Sequence, residues 1–316
     1  MEKIDKIKTD LIGVQESVSL AKYTTLGLGG DARFFYEAKS VDDLIRAIIV
    51  ARNLAIVYKV IGYGSNVLVS DNGFDGLIIL NRASSIKVEH STGRVIADSG
   101  ASLTRVIVEA GAQGLSGLEA LYGIPGTVGG AALVNAGAHA VSIESFIKSA
   151  TILISSDKII SVTPDWFEFE YRSSKLKHKH DDFPPIILSV IFQFHQKKNE
   201  GILNDISTFK KWREKHQPIG EKTCGSIFKN PGGSDNLATT EPERSAGWLL
   251  DQVGAKKLRV GGIRVSKKHA NWIINSGHSS AKDARLLIEQ MRNAVREKYS
   301  LDLNEELEYL GNWNDI

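Results

Sequence analysis

Ser226 stands directly after Gly225 in the stretch TCGSIFKNP, residues 223 to 231, with Lys229 and Asn230 close behind it. A hydroxyl beside a residue without a Cβ can be approached closely. The lysine and the amide that follow can hold an anion and a polar ligand. The same stretch also reads as a strand end whose hydroxyl bonds backbone. Arg172, in YRSS, follows the alternating run Phe167-Glu168-Phe169-Glu170. If that run is a strand, Arg172 lies on the face opposite the phenylalanines; otherwise it is a surface arginine paired with Glu168 or Glu170. Glu306, in LNEELEYLG, alternates with Glu308 between Leu303, Leu307 and Leu310, a pattern that a solvated strand edge also explains. Spacing alone does not assemble these three residues into one site.

Two glycine-rich stretches offer a different chemistry. Gly62-Tyr63-Gly64-Ser65-Asn66 runs into Val67, and Gly123-Ile124-Pro125-Gly126-Thr127-Val128-Gly129-Gly130 lies further along. Backbone N–H groups bind phosphate where residues without Cβ let the chain come close. Neither stretch is a Walker motif, because no Gly-Lys-Ser/Thr follows, and GYGSNV lacks the third glycine of a dinucleotide fingerprint. Each alone could be a tight turn. Two of them flanking strands in one half of the chain point to a cofactor with a pyrophosphate.

The elements that must position these residues are legible in outline. Ser40 to Asn53 reads as a helix, with Val41, Leu44, Ile45 and Ile48 on one face and a capping signal from Ser40 and Asp43. Ala55 to Ile61 and Gly76 to Leu80 read as strands, and Ile86 to Ala97 as a hairpin around Ser91-Thr92-Gly93. Leu103, Val106, Ile107 and Ala110 mark a second helix. Residues 111 to 140 mix eight glycines with Leu, Ile and Val, which suggests buried, tightly turning backbone rather than a linker. Strands are expected at Ala150 to Ile154 and Pro185 to Phe194, and a linker at His195 to Gly201. Three helices follow, at about Leu203 to His216, about Pro242 to Val253, and after Ser280, where Asp283 completes a capping box. A last strand is expected at Glu305 to Leu310. The clustering of strands and helices indicates an α+β protein.

Composition narrows the classes. The chain has 316 residues, so two or three domains are expected. Its 39 Lys and Arg against 37 Asp and Glu leave a net charge of +2, which gives no general field for gripping nucleic acid. The basic run Lys175 to His180 reads as a solvated loop. The single cysteine, Cys224, excludes an intrachain disulfide and a Cys-rich zinc site. The charged start MEKIDKIKTDLIGV lacks a signal-peptide core, and no apolar run approaches the roughly 18 residues of a membrane span. A cytoplasmic protein with no membrane partner is the expectation.

Taken in order, GYGSNVLV, GLSGLEALYGIPGTVGGAALVNAGAHA, YRSS, TCGSIFKNP, SAGWLLDQVGAKKLRVGGIRVSKKHANWIIN and LNEELEYLG resemble the UDP-N-acetylenolpyruvoylglucosamine reductase family, flavoenzymes of peptidoglycan precursor synthesis. The resemblance runs from about Tyr23 to Gly311. It implies a two-part FAD-binding region of the vanillyl-alcohol-oxidase/PCMH type, at residues 1–82 and 83–197. A substrate-binding domain would follow at 202–302, and a C-terminal strand, 303–316, would return to the FAD region. The glycine-rich stretches would hold the FAD pyrophosphate through Gly62, Tyr63, Gly64, Ser65, Asn66 and Val67, and through Gly123, Ile124, Pro125, Gly126, Thr127, Gly129 and Gly130. The short connection from Tyr171 to Phe194 resembles the branch without a tyrosine-bearing loop over the substrate.

The implied reaction has NADPH reduce FAD, after which a hydride passes from flavin N5 to the terminal carbon of the substrate's enolpyruvyl group. Ser226 aligns with the acid that protonates the neighbouring carbon. Arg172 aligns with the residue that grips the substrate carboxylate. Glu306 aligns with a second polarising group, which burial would help to keep partly protonated. Asn230, Lys229 and His269 fall where the family contacts the UDP-sugar. The resemblance implies UDP-N-acetylglucosamine enolpyruvate and NADPH as partners, and a monomer. An oxidase on the same fold, or an idle flavin- or nucleotide-sugar-binding protein, are the competing readings; GSIFKNP argues against the first and the presence of Ser226, Arg172 and Glu306 against the second.

Overall fold

Helices begin where the sequence supplies caps. Ser40 accepts the Asp43 N–H at 3.1 Å ahead of the helix Val41–Asn53, and Ser102 accepts the Arg105 N–H at 3.3 Å ahead of Leu103–Ala112. Each side-chain oxygen satisfies an N–H that the first turn leaves without an intrahelical partner. At Ser280 both halves of the expected capping box form. Its hydroxyl accepts the Asp283 N–H at 3.0 Å, and its own N–H donates to the Asp283 carboxylate at 2.9 Å. The helix Ala281–Tyr299 then buries Ala284, Leu287, Ile288, Met291 and Val295 on one face.

The computed structural model of the chain describes residues 3–155, 158–177, 184–233 and 245–313. The chain divides into two units that alternate along the sequence. The first comprises Met1–Glu16, Phe34–Gly62 and Gly76–Lys210, and the second comprises Ser17–Arg33, Tyr63–Asp75 and Lys211–Ile316.

In the first unit a five-stranded antiparallel sheet runs in the order Ile159–Val162, Ile147–Leu153, Ile186–Gln193, Arg94–Asp98, Ile86–Glu89. One core gathers Val95, Val106, Leu121, Val128, Phe167 and Phe192. A second gathers Ile7, Phe34, Leu44, Ile48, Leu77 and Ile79. There Tyr58–Ile61 pairs in parallel with the strand Phe74–Asn81, from Tyr58↔Leu77 to Ile61↔Leu80.

The second unit has a three-stranded antiparallel sheet, Arg259–Val260, Ile263–Val265 and Ile273–Asn275, and the helices Ala246–Gln252 and Ala281–Tyr299. Val67–Val69 pairs in parallel with Glu308–Leu310. Its core includes Leu26, Leu28 and Leu68 together with Phe228, Leu250, Ile273, Leu287 and Leu303. The α+β class is as the sequence indicates. Among the described residues no helix is long and apolar enough to cross a membrane.

Several expectations change in detail. The run Phe167 to Glu170 is not a strand: Pro164–Phe167 forms a 3-10 turn, Glu168 has φ +48°, and Glu170 bridges Ser173 across a tight turn. Phe167 and Phe169 stack at 4.7 Å on the same core, so the apolar alternation is produced by burial of a turn. The stretch expected as a linker is structured: His195–Gln196 pairs with Leu115–Ser116, and a helix starts at Asn199. The regular C-terminal strand is Glu308–Leu310, with Glu305 held instead in a single bridge to Phe228. Residues 242–244 of the expected middle helix, and 178–180 of the basic run, lie outside the described residues.

Candidate active site

In the second unit the segment carrying Ser226 is held from two sides. Gly225 has φ +81°, a left-handed conformation that favours glycine. Ser226 then lies opposite Trp272 in an antiparallel bridge, and the Ile227 N–H donates to Asn271 O at 2.9 Å. On the other side the Glu306 N–H donates to Ile227 O and the Lys229 N–H to Asn304 O, both at 2.8 Å. Ser226 and Glu306 are therefore set by one short ladder, although 80 residues of sequence separate them. Among the described residues, the Ser226 hydroxyl makes no hydrogen bond.

The loop Tyr63 to Val67 belongs to the same unit and is tied to this ladder. Asn66 Nδ2 donates to Glu306 O at 3.1 Å, and Asn66 O accepts the Glu308 N–H at 3.0 Å. Thr25 is a second tie. Its N–H donates to Gly64 O at 3.0 Å, and its hydroxyl to Thr223 O at 2.6 Å. Thr25 and Asn271 were missed in the sequence reading. Nothing in the local sequence around Thr25 marks its hydroxyl as a link to residue 223.

The ligand-contact candidates lie around the same segment. Asn230 Oδ1 accepts the N–H of Ala246 at 3.1 Å, which places this amide at the start of the helix Ala246–Gln252. His269 Nδ1 accepts the Asn271 N–H at 3.2 Å, which assigns the ring proton to Nε2. Burial, and then the Lys256 ammonium, hold this imidazole down to a pKa of about 4. Burial pushes the Cys224 thiol up to about 12, so the cysteine beside the serine is no nucleophile at neutral pH.

In the first unit the two glycine stretches meet. A Cβ on Gly62 would lie 2.6 Å from Thr127 Oγ1, so only glycine admits this approach. Thr127 caps the short helix Val128–Leu133, accepting the Gly130 N–H at 3.3 Å. The Val128 and Gly129 N–H groups are spent on Ala101 O and Ser99 O, both at 2.8 Å. Among the described residues, the N–H groups of Gly126 and Thr127 have no protein acceptor. A pair of adjacent backbone donors on a loop bare of side chains fits a phosphate oxygen.

Arg172, also in the first unit, occupies a left-handed turn position with φ +53°. Its Nη2 donates to Gly137 O at 2.5 Å and its Nη1 to Asn135 O at 3.4 Å, while Glu168 is bonded by Lys175 at 3.2 Å. Asn135 is buried and is itself fixed by Glu144 Oε2 at 2.6 Å and Glu170 O at 3.1 Å. A guanidinium oriented in this way by two carbonyls has the planar donor geometry that suits a carboxylate.

Comparison with known proteins covers almost all of the chain. Residues 217–310 match a family model described as the UDP-N-acetylenolpyruvoylglucosamine reductase C-terminal domain, and residues 32–163 match one described as an FAD binding domain. The UDP-N-acetylenolpyruvoylglucosamine reductase of Bacillus subtilis (strain 168) is 35% identical, over 98% of this chain and 99% of its own. That of Clostridium botulinum (strain 657 / Type Ba4) is 36% identical, over 94% and 92%. The crystal structure of the reductase from Thermus caldophilus superposes with a TM-score of 0.77 at 32% identity, covering 94% of this chain and 98% of that one.

Proposed function

Since the chain belongs to the UDP-N-acetylenolpyruvoylglucosamine reductase family, FAD-dependent oxidoreductases of peptidoglycan precursor synthesis with NADPH as reductant, we propose that it reduces UDP-N-acetylglucosamine enolpyruvate to UDP-N-acetylmuramate, with Ser226 as the proton donor. Bound FAD supplies the electrons, as a hydride taken from NADPH and delivered to the terminal carbon of the enolpyruvyl group. The carbon next to it then carries enol-like negative charge and must be protonated. A serine hydroxyl is a weak acid, but such a carbon is basic enough to take its proton when the two are oriented.

The observation that carries this reading is the held segment 225–229 with its uncommitted hydroxyl. The backbone of Ser226 is fixed by its neighbours, while among the described residues the group that would move a proton has no hydrogen-bond partner. Glu306, on the adjoining segment of the same ladder, is the proposed second polarising group. Arg172 is assigned to the substrate carboxylate, on the strength of its oriented, permanently charged guanidinium. Asn230, Lys229 and His269 are assigned to the UDP-sugar. The backbone donors of the 123–130 loop, closed by Gly62, and the loop 63–67 are assigned to the FAD pyrophosphate.

The test is anaerobic stopped-flow on the parent protein and Ser226→Ala, following flavin absorbance. Both are expected to be reduced by NADPH at similar rates. Reoxidation by the UDP-enolpyruvyl sugar is expected to slow by about a hundred- to ten-thousand-fold in the variant, the range for losing a positioned acid. A parent protein that reduces but is never reoxidised by the sugar would refute the reductase reading. A variant reoxidised as fast as the parent would remove Ser226 from the proton-transfer role alone.

A further inference from the structure

Asn271 continues the ladder with its side chain. Its side-chain Oδ1 accepts the Phe228 N–H at 3.0 Å, and its Nδ2 donates to Phe228 O at 2.8 Å. The primary amide thus pairs with both polar groups of one residue, as a second strand would, but from a single side chain. The assignment of oxygen and nitrogen is unambiguous, because Phe228 offers one donor and one acceptor. Asn271 and Phe228 are both buried, so water does not stand in for either bond. The Asn271 main chain adds the bond from the Ile227 N–H, and the next residue, Trp272, is the bridge partner of Ser226. Its own N–H is bonded to His269 Nδ1.

The consequence reaches two residues. Phe228 lies between Ile227, whose carbonyl holds the Glu306 N–H, and Lys229, whose N–H is held by Asn304. A shift of the Phe228 peptide therefore moves Ser226 along the chain on one side and loosens Glu306 across the ladder on the other. Shorter polar residues do not span both bonds, and aspartate offers acceptors only.

We propose that Asn271 is a positioning residue for the reduction, its amide fixing the Phe228 peptide and through it the placing of the Ser226 hydroxyl relative to Glu306. This rests on the reading of Ser226 as proton donor. The Asn271 amide is spent on the Phe228 backbone, so its effect passes through the placing of Ser226 relative to Glu306, and that makes it separable from a structural role.

The experiment uses the FAD-loaded full chain as parent, Ser226→Ala, Asn271→Ser, Asn271→Ala and the double variant Ser226→Ala/Asn271→Ser. The maximal rate and half-saturating concentration for flavin reoxidation by the UDP-enolpyruvyl sugar are measured anaerobically, beside the rate of reduction by NADPH. Hydrogen exchange of the Phe228 amide is followed separately, without turnover. Asn271→Ser is expected to lower the maximal reoxidation rate about ten- to a hundred-fold, the effect of misplacing a reacting group by about an ångström. Half-saturation and NADPH reduction should stay within about two-fold, and the double variant should be within about two-fold of Ser226→Ala, because the two changes remove one effect. Phe228 exchange should be faster in both Asn271 variants. If the losses of the single variants multiply in the double variant, or if half-saturation rises while the maximal rate holds, the positioning role is overturned. Should Ser226→Ala itself keep the parent rate, the proton-donor reading has failed, and that variant alone reveals it. If Asn271→Ala does not load FAD, Asn271→Ser decides the matter.

Discussion

His269 accepts the Asn271 N–H at Nδ1, and its surroundings hold it neutral down to a pKa of about 4. In the unfolded chain the same ring takes up a proton near the ordinary histidine value of 6.5. Between these values a fall in pH protonates the unfolded state first, so the stability contributed by His269 is complete above 6.5 and is lost as pH falls towards 4. The expected loss is at most roughly 3 kcal/mol. Urea midpoints measured from pH 7 to pH 4 should fall more steeply in the parent than in His269→Gln. Equal slopes would show that another group titrates. Cys224 follows the same logic with the opposite sign, since burial disfavours its thiolate. Desolvation, which leaves one residue neutral and the other inert, is a property of residues that the linear sequence does not display.

At the scale of elements, the helix Ala281–Tyr299 shows how local and distant signals combine. Its capping box is encoded within four residues, Ser280 to Asp283, and forms as expected. A second cap arrives from far away: the Asp71 carboxylate accepts the Ala281 N–H at 2.8 Å and the Lys282 N–H at 3.0 Å. A carboxylate at a helix N-terminus is favoured by both the free N–H groups and the macrodipole. Asp71→Ala should therefore cost about 1–2 kcal/mol, and Asp71→Asn less, read as a lower denaturant midpoint at unchanged slope. An unchanged midpoint would mean that the capping box alone closes this helix end. The same helix carries Arg292, which forms an ion pair with Glu305, so the helix also supports the segment next to Glu306.

For the whole molecule, the interleaving of the two units has a consequence for folding. The second unit draws Leu26, Leu28 and Leu68 into its core, and its C-terminal strand pairs with Val67–Val69. A chain fragment of residues 202–316 lacks all of these. Leaving a parallel strand unpaired and large apolar side chains without their partners exposes surface that the intact unit buries. Such a fragment is expected to unfold without a cooperative transition in circular dichroism, whereas the full chain shows one. A sharp transition in the fragment would show that the 17–33 and 63–75 segments are dispensable for that core.

Short-range signals determined much of this protein. Helix starts were legible at Ser40 and Ser280 because a cap and its N–H lie three residues apart, and helix faces because their apolar spacing repeats every turn. The family was legible from ordered motifs, and Ser226, Glu306 and the glycine loops from the residues within them. The tertiary structure alone decided that Phe167 to Glu170 is a buried turn, because stacking of two phenylalanines on a core imitates the alternation of a strand. It alone joined Asn66 to Glu306, Thr25 to Thr223 and Asn271 to Phe228, across 240, 198 and 43 residues. A hydrogen bond constrains two groups in space and leaves no periodicity in the chain between them, so the partners of the candidate site became visible only once the fold had brought them within hydrogen-bonding distance of each other.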